Sequence, residues 1–170
     1  MEEQIINRVN TSQLITFDLE EYSSEGERVL YDIRDNLFQE LMLKEKDFRD
    51  FIRAHDWSIY KDKNVAVYCS VDAVVPTWAY MLLTIALQPY ARKIVFGNLE
   101  ALEIQLFHDA LSNVEWSKFQ GAKVVIKGCS KVFVPTSAYV EATDRLREYA
   151  SSIMFGEACS TVPLYKRPKA

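Results

Sequence analysis

The sequence predicts an α/β fold: a three-layer sandwich with a largely parallel sheet, built from a tandem β-α-β-α duplication, with an N-terminal antiparallel hairpin at one edge. Three observations predict it. The chain matches itself when slid 59 or 60 residues along. Short β-branched runs of strand length alternate with segments whose apolar residues recur every three or four positions. Proline opens, and glycine closes, the same elements in both copies.

The repeat is plainest where Val75 to Gly97 (VPTWAYMLLTIALQPYARKIVFG) meets Val134 to Gly156 (VPTSAYVEATDRLREYASSIMFG), with 12 identities in 23 ungapped positions. Unrelated sequences would share roughly one or two. Upstream the match continues at a spacing of 59 through Phe48/Phe107, Asp50/Asp109, Trp57/Trp116 and Ser58/Ser117. It then runs at 60 through Lys63/Lys123, Val65/Val125, Cys69/Cys129 and Ser70/Ser130. This alignment gains one residue in a loop and loses one after the Cys-Ser pair.

Taken in order, LITFDL and RVLYDI, separated by SSEGE, read as a hairpin that supplies the antiparallel edge. KEKDFRDFI is the first helix. VAVYC (Val65 to Cys69) is a strand, and Pro76-Thr77 opens a helix whose apolar stripe is Tyr80, Leu83, Leu87 and Tyr90. IVFG is the next strand and Leu99 to Leu111 the connecting helix. The second copy supplies the VVIK strand (Val124 to Lys127), a helix opening at Pro135-Thr136 and the IMFG strand. No Gly/Pro/Ser-rich linker divides the chain, so the expectation is one domain of 170 residues. Its parts are the hairpin and first helix (1–47), the copies (48–97 and 107–156), and a segment (157–170) holding Cys159 and the basic tail YKRPKA.

Half the residues are apolar and the formal charge is −4. That balance disfavours nucleic acid, which calls for a basic face. The N-terminus is acidic and polar, and no apolar run approaches the 18 or so residues of a membrane span. The expectation is a cytosolic protein with no membrane partner. Three cysteines, an odd number without a Cys-x-x-Cys pair, do not form a disulfide framework. Five glycines, none in a phosphate-loop pattern, give nucleotide binding no support.

The candidate site is the trio Cys69, Cys129 and Cys159. Each begins a Cys-Ser pair at a strand end with proline a few residues on, and in parallel α/β sheets ligands bind at the strands' carboxyl ends. A thiolate there, beside a helix N-terminus, is both a nucleophile and a soft metal ligand. Three thiolates suit zinc or an iron-sulfur cluster, with Asp72 or Glu157 as an additional ligand. Thr77 and Thr136, at the helix starts, are small-anion candidates. Three alternatives stand beside this: cysteines as buried packing residues, a thiol enzyme or persulfide carrier, and a protein-binding module that uses the loops without the sulfurs. His55 and His108 read as surface or capping residues, and Trp57 and Trp116 as core pins.

With CSVDAVVPTWAYMLL, IKGCSKVFVPTSAYVEAT and SIMFGEACSTVPLYK in view, the chain resembles the bacteroidete family catalogued as domain of unknown function 2480, from IINRV to VPLYK. The resemblance carries no activity and no catalytic residues. It implies a role connected with iron-sulfur assembly, hence a protein partner from that machinery. The reading is a cytosolic accessory protein, with the identity of any metal, the reaction and the oligomeric state left open.

Overall fold

The computed structural model describes residues 14–128, 131–157 and 159–168. The elements in chain order are β1 (Leu14–Phe17), β2 (Arg28–Asp32), α1 (Glu45–Ala54), β3 (Asn64–Tyr68), α2 (Thr77–Leu87) and β4 (Lys93–Phe96). There follow α3 (Leu99–Ser112), β5 (Lys123–Lys127), α4 (Thr136–Tyr149), β6 (Ser152–Glu157) and β7 (Ser160–Lys166). No helix among the described residues is long and apolar enough to cross a membrane.

The chain forms two compact units: Ser24–Asp109, which is continuous, and a discontinuous one made of the residues up to Ser23 and from Ala110 onward. The continuous unit holds a sheet of order β2-β3-β4, parallel throughout. Val65 and Val67 of β3 face Phe48 of α1 and Ala79, Leu83 and Leu87 of α2. Ala66, pointing the other way as strand alternation requires, meets Leu102 and Leu106 of α3. This unit is thus the three-layer arrangement the sequence predicts. The discontinuous unit holds a sheet of order β1-β5-β6-β7, parallel except for β7. Val124, Val125 and Ile126 are all buried, so both faces of β5 are covered.

The α/β class, the parallel pairing and the Pro-Thr helices are as expected. The N-terminal hairpin is not: β1 pairs in parallel with β5, and β2 in parallel with β3, in separate sheets. SSEGE is no hairpin turn because its backbone is held from other directions. Arg28 donates to the carbonyls of Ser24 and Gly26, and the buried Asn64 donates to the carbonyl of Glu25. The antiparallel edge lies instead at the C-terminus, where β7 covers β6.

The two copies are equivalent at a spacing of 59 without gaps. The amide of Asp62 bonds to Tyr90 O (3.0 Å) as that of Gly121 bonds to Tyr149 O (2.9 Å). Arg92 N bonds to Lys63 O as Ser151 N bonds to Ala122 O, both at 2.8 Å. Tyr80 and Tyr139 each accept a hydroxyl proton four residues on, from Thr84 and Thr143, and each meets a phenylalanine ring edge-on, Phe96 and Phe155. Val65 pairs with Ile94 as Val124 pairs with Ile153. The strands therefore align Val65 with Val124, which corrects the spacing of 60 that set Val65 against Val125 and Cys69 against Cys129. The duplication also includes the first strands. Val29 lies beside Val65 as Ile15 lies beside Val124, so Asp32 and Asp18 occupy equivalent places.

Candidate functional site

At the carboxyl edge of β2 and β3, Asp32, Cys69, Ser70 and Tyr80 meet. Asp32 Oδ1 accepts the N–H of Arg34 at 3.0 Å, capping the 3-10 turn Ile33–Asn36, and the N–H of Ser70 at 3.1 Å. Burial pushes its carboxyl up, but hydrogen bonds from the Ser70 side chain and from both amides, with the Arg34 charge, outweigh that and hold it below the ordinary carboxylate value. Cys69 Sγ donates to Val71 O at 3.3 Å, and its side chain packs on the core of the continuous unit. The Tyr80 phenol is raised by burial, then by the electrostatics of Cys69 and Asp32 beside it.

The equivalent edge of the discontinuous unit keeps the skeleton and changes the chemistry. Asp18 Oδ1 accepts the N–H of Glu20 at 3.0 Å, the same cap. Its other oxygen takes the ammonium of Lys127 at 2.6 Å, with Glu20 Oε2 at 3.7 Å, and Glu20 also accepts the amide of Lys131. The bond to Asp18 is the first cause of the raised Lys127 ammonium. Gly128 stands where Cys69 stands, and a Cβ there would lie 3.0 Å from the Phe155 ring.

Of the predicted site residues, Cys69 follows a parallel strand as expected. Cys159 does not share its sheet: it lies, exposed, in the turn between β6 and β7. The expectation that all three thiols line one edge of one sheet therefore fails for this pair, because the chain builds two sheets. Cys129 lies outside the described residues. Asp72 is exposed in the loop after β3, and Glu157 ends β6 opposite Ser160. Thr77 and Thr136 are the first residues of α2 and α4, behind Pro76 and Pro135 at the caps. Among the described residues no three His, Cys, Asp or Glu side chains are grouped to hold a metal. His55 closes α1 and stacks on Phe51, edge-on to Trp57.

Two features escaped the sequence reading. The capping aspartates were detectable by sliding FDLEEY onto YDIRDN. The other is an apolar cluster beside the Cys69 loop. Gln39 and Glu40 both adopt positive φ (53° and 56°) in a turn closed by Phe38 N to Met42 O at 2.8 Å. Met42 bridges to Val74, and Val74 N bonds to Leu41 O at 3.2 Å. Phe38, Leu41, Met42 and Val74 thus stand together in solvent, Val74 being 77% exposed, with the Lys44 ammonium over the Phe38 ring.

Residues 3–167 match the model of the family described as protein of unknown function DUF2480. The chain belongs to the DUF2480 family. No curated protein and no solved structure matches it. The DUF2480 match spans both units and both copies, so the duplicated skeleton lies within the family's own boundaries.

Proposed function

We propose that this DUF2480 protein is a non-enzymatic, cytosolic binding protein that docks a partner protein on the loops at the carboxyl edge of β2 and β3, with Cys69 serving as a packing thiol. The cluster of Phe38, Leu41, Met42 and Val74 carries the reading. Two consecutive non-glycine residues at positive φ cost about 1 kcal/mol or more each. The turn they strain sets four large apolar side chains in water, where a monomer gains nothing from them. The acids at the rim, Glu40 and Asp72, are exposed, and the nearby lysine is engaged with Phe38. The complementary partner presents apolar side chains ringed by Lys or Arg. The iron-sulfur connection implied by the family resemblance enters here as the expected identity of that partner.

The test compares three full-length chains: wild type, the triple Cys69, Cys129, Cys159→Ser variant, and Leu41→Asp/Val74→Asp. Both residues of the last variant are exposed, so its circular dichroism should match wild type. A protein captured from native cytosol is identified and purified, and its affinity for each chain is measured. Binding equal for wild type and the Ser variant, and at least tenfold weaker for the Asp variant, supports the reading. Binding indifferent to the Asp substitutions overturns it. So does stoichiometric zinc or iron in anaerobically purified protein that disappears in the Ser variant, which would restore the metal or cluster function.

A further inference from the structure

The two copies differ at one edge. In the discontinuous unit β6 is covered by the antiparallel strand β7. In the continuous unit the equivalent strand, β4, pairs with β3 on one side and with no strand of the described residues on the other. The amide of Gly97 bonds to Val67 O, so by strand alternation residues 93, 95 and 97 turn their backbone groups toward β3. Ile94 and Phe96 therefore turn theirs outward, in the places from which Ile153 and Phe155 pair with β7.

The side chains along this edge differ in the same sense. The hollow beside β6 is lined by Tyr139, Val140, Thr143, Asp144 and Phe155, and one wall is Leu164 of β7. The equivalents in the continuous unit are Tyr80, Met81, Thr84, Ile85 and Phe96, with no counterpart of Leu164 among the described residues. Where α4 places Asp144, α2 places Ile85, which is 69% exposed; Met81 is 63% exposed, and Phe96 is 71% exposed where Phe155 is 37%. The copy whose edge is covered carries a charge there, and the copy whose edge is open is apolar.

We propose that a second copy of this chain covers the edge, β4 pairing antiparallel with β4 across a twofold axis at Val95. That register sets Ile94 of each copy opposite Phe96 of the other. All four outward N–H and C=O pairs are then satisfied in two hydrogen-bonded pairs flanking a non-hydrogen-bonded Val95 pair. Ile94 and Phe96 face α2 in both copies, so each Ile94 fills beside the opposite Phe96 the place that β7 fills in the other unit. The contact is self-compatible because it brings no bare charge to the axis: Lys93, the charged residue of β4, has its ammonium on Asp109.

The experiment measures mass by light scattering at about 50 μM, where a micromolar dimer is assembled. Wild type is compared with Ile85→Asp, which copies the residue α4 carries at this position, and with Phe96→Ser. The expected result is about twice the 19.7 kDa chain mass for wild type. Both variants should give the single-chain mass, with unchanged circular dichroism. Hydrogen exchange gives a second reading: the amides of Ile94 and Phe96 should be protected in wild type and exchange at least tenfold faster in Ile85→Asp. A monomeric wild type overturns the proposal, as does a dimer that survives both substitutions or leaves those two amides unprotected.

Discussion

Replacing Asp32 by alanine tests the carboxyl edge of the continuous unit at its hinge. The side chain performs two tasks through one oxygen, capping the turn at Arg34 N and tethering Ser70 N, both near 3 Å. Loss of the cap costs about 1 kcal/mol. A hydrogen bond to a charged acceptor contributes about 1.5–3 kcal/mol, reduced to about 1 because the carboxylate is partly exposed to solvent and screened. The sum of about 2 kcal/mol lowers Tm by roughly 4–8 °C in a chain of this size. Asp32→Asn keeps an acceptor and loses the charge, so it should fall about halfway. The native carboxyl is held below its ordinary value, so its contribution is fully present above about pH 4 and is lost as pH falls through the native value. The difference in urea unfolding between wild type and Asp32→Ala should be constant from pH 6 to 8 and shrink toward pH 3. A difference under about 0.5 kcal/mol at pH 7, or one that persists undiminished at pH 3, would refute the reasoning.

Three further outcomes are expected. Iodoacetamide followed by peptide mass mapping should modify exposed Cys159 at least tenfold faster than Cys69, which is half-buried and bonded to Val71 O; equal rates would contradict the packing role. Leu87→Ala and Leu146→Ala, both at fully buried equivalent positions, should each cost about 3 kcal/mol in urea unfolding, and a gap above about 2 would break the equivalence of the copies. Gly97→Ala should cost about 2 kcal/mol or more, since φ is 129° and the new Cβ would lie 2.6 Å from that of Ala101. Gly121→Ala, at φ 73° with open space around it, should cost about 1 kcal/mol, and the reverse order of melting temperatures would show that the crowding at Gly97 is not felt.

The class of the fold was legible because the repeated residues are those that dictate backbone. Pro76 and Pro135 start helices, Ala79 and Ala138 allow a helix to sit close on its sheet, Leu87 and Leu146 are fully buried, and Gly97 and Gly156 share a φ of 129°. The strand register was illegible for the opposite reason. Any β-branched residue satisfies a buried parallel strand, so VAVY and VVIK can be slid by one position at no cost in pattern. Lys63/Lys123 and the two Cys-Ser pairs then reward the wrong shift. The hairpin reading failed because two short strands joined by a polar turn look alike whether they pair with each other or with more distant strands. Asn64 and Arg28, which hold the Ser24–Gly26 backbone, are not recognisable as such from local sequence.

That register also bears on whether the duplication repeats a chemistry or only a scaffold. A site used twice would carry the same groups at the same places. Here the equivalent aspartates keep one task, accepting the N–H two residues on, and differ in the other: Asp32 holds a backbone amide, and Asp18 holds the Lys127 ammonium. Cys69 corresponds to a glycine in the copy, where a Cβ would lie 3.0 Å from the Phe155 ring. What both copies retain is the set of bonds that fixes a loop at the end of a central strand. The divergence changes the groups that fill that skeleton, and it extends to the edge at Phe96, which no strand of the described residues covers. A skeleton kept while its groups change accords with the proposed role in binding rather than with one reaction carried out twice.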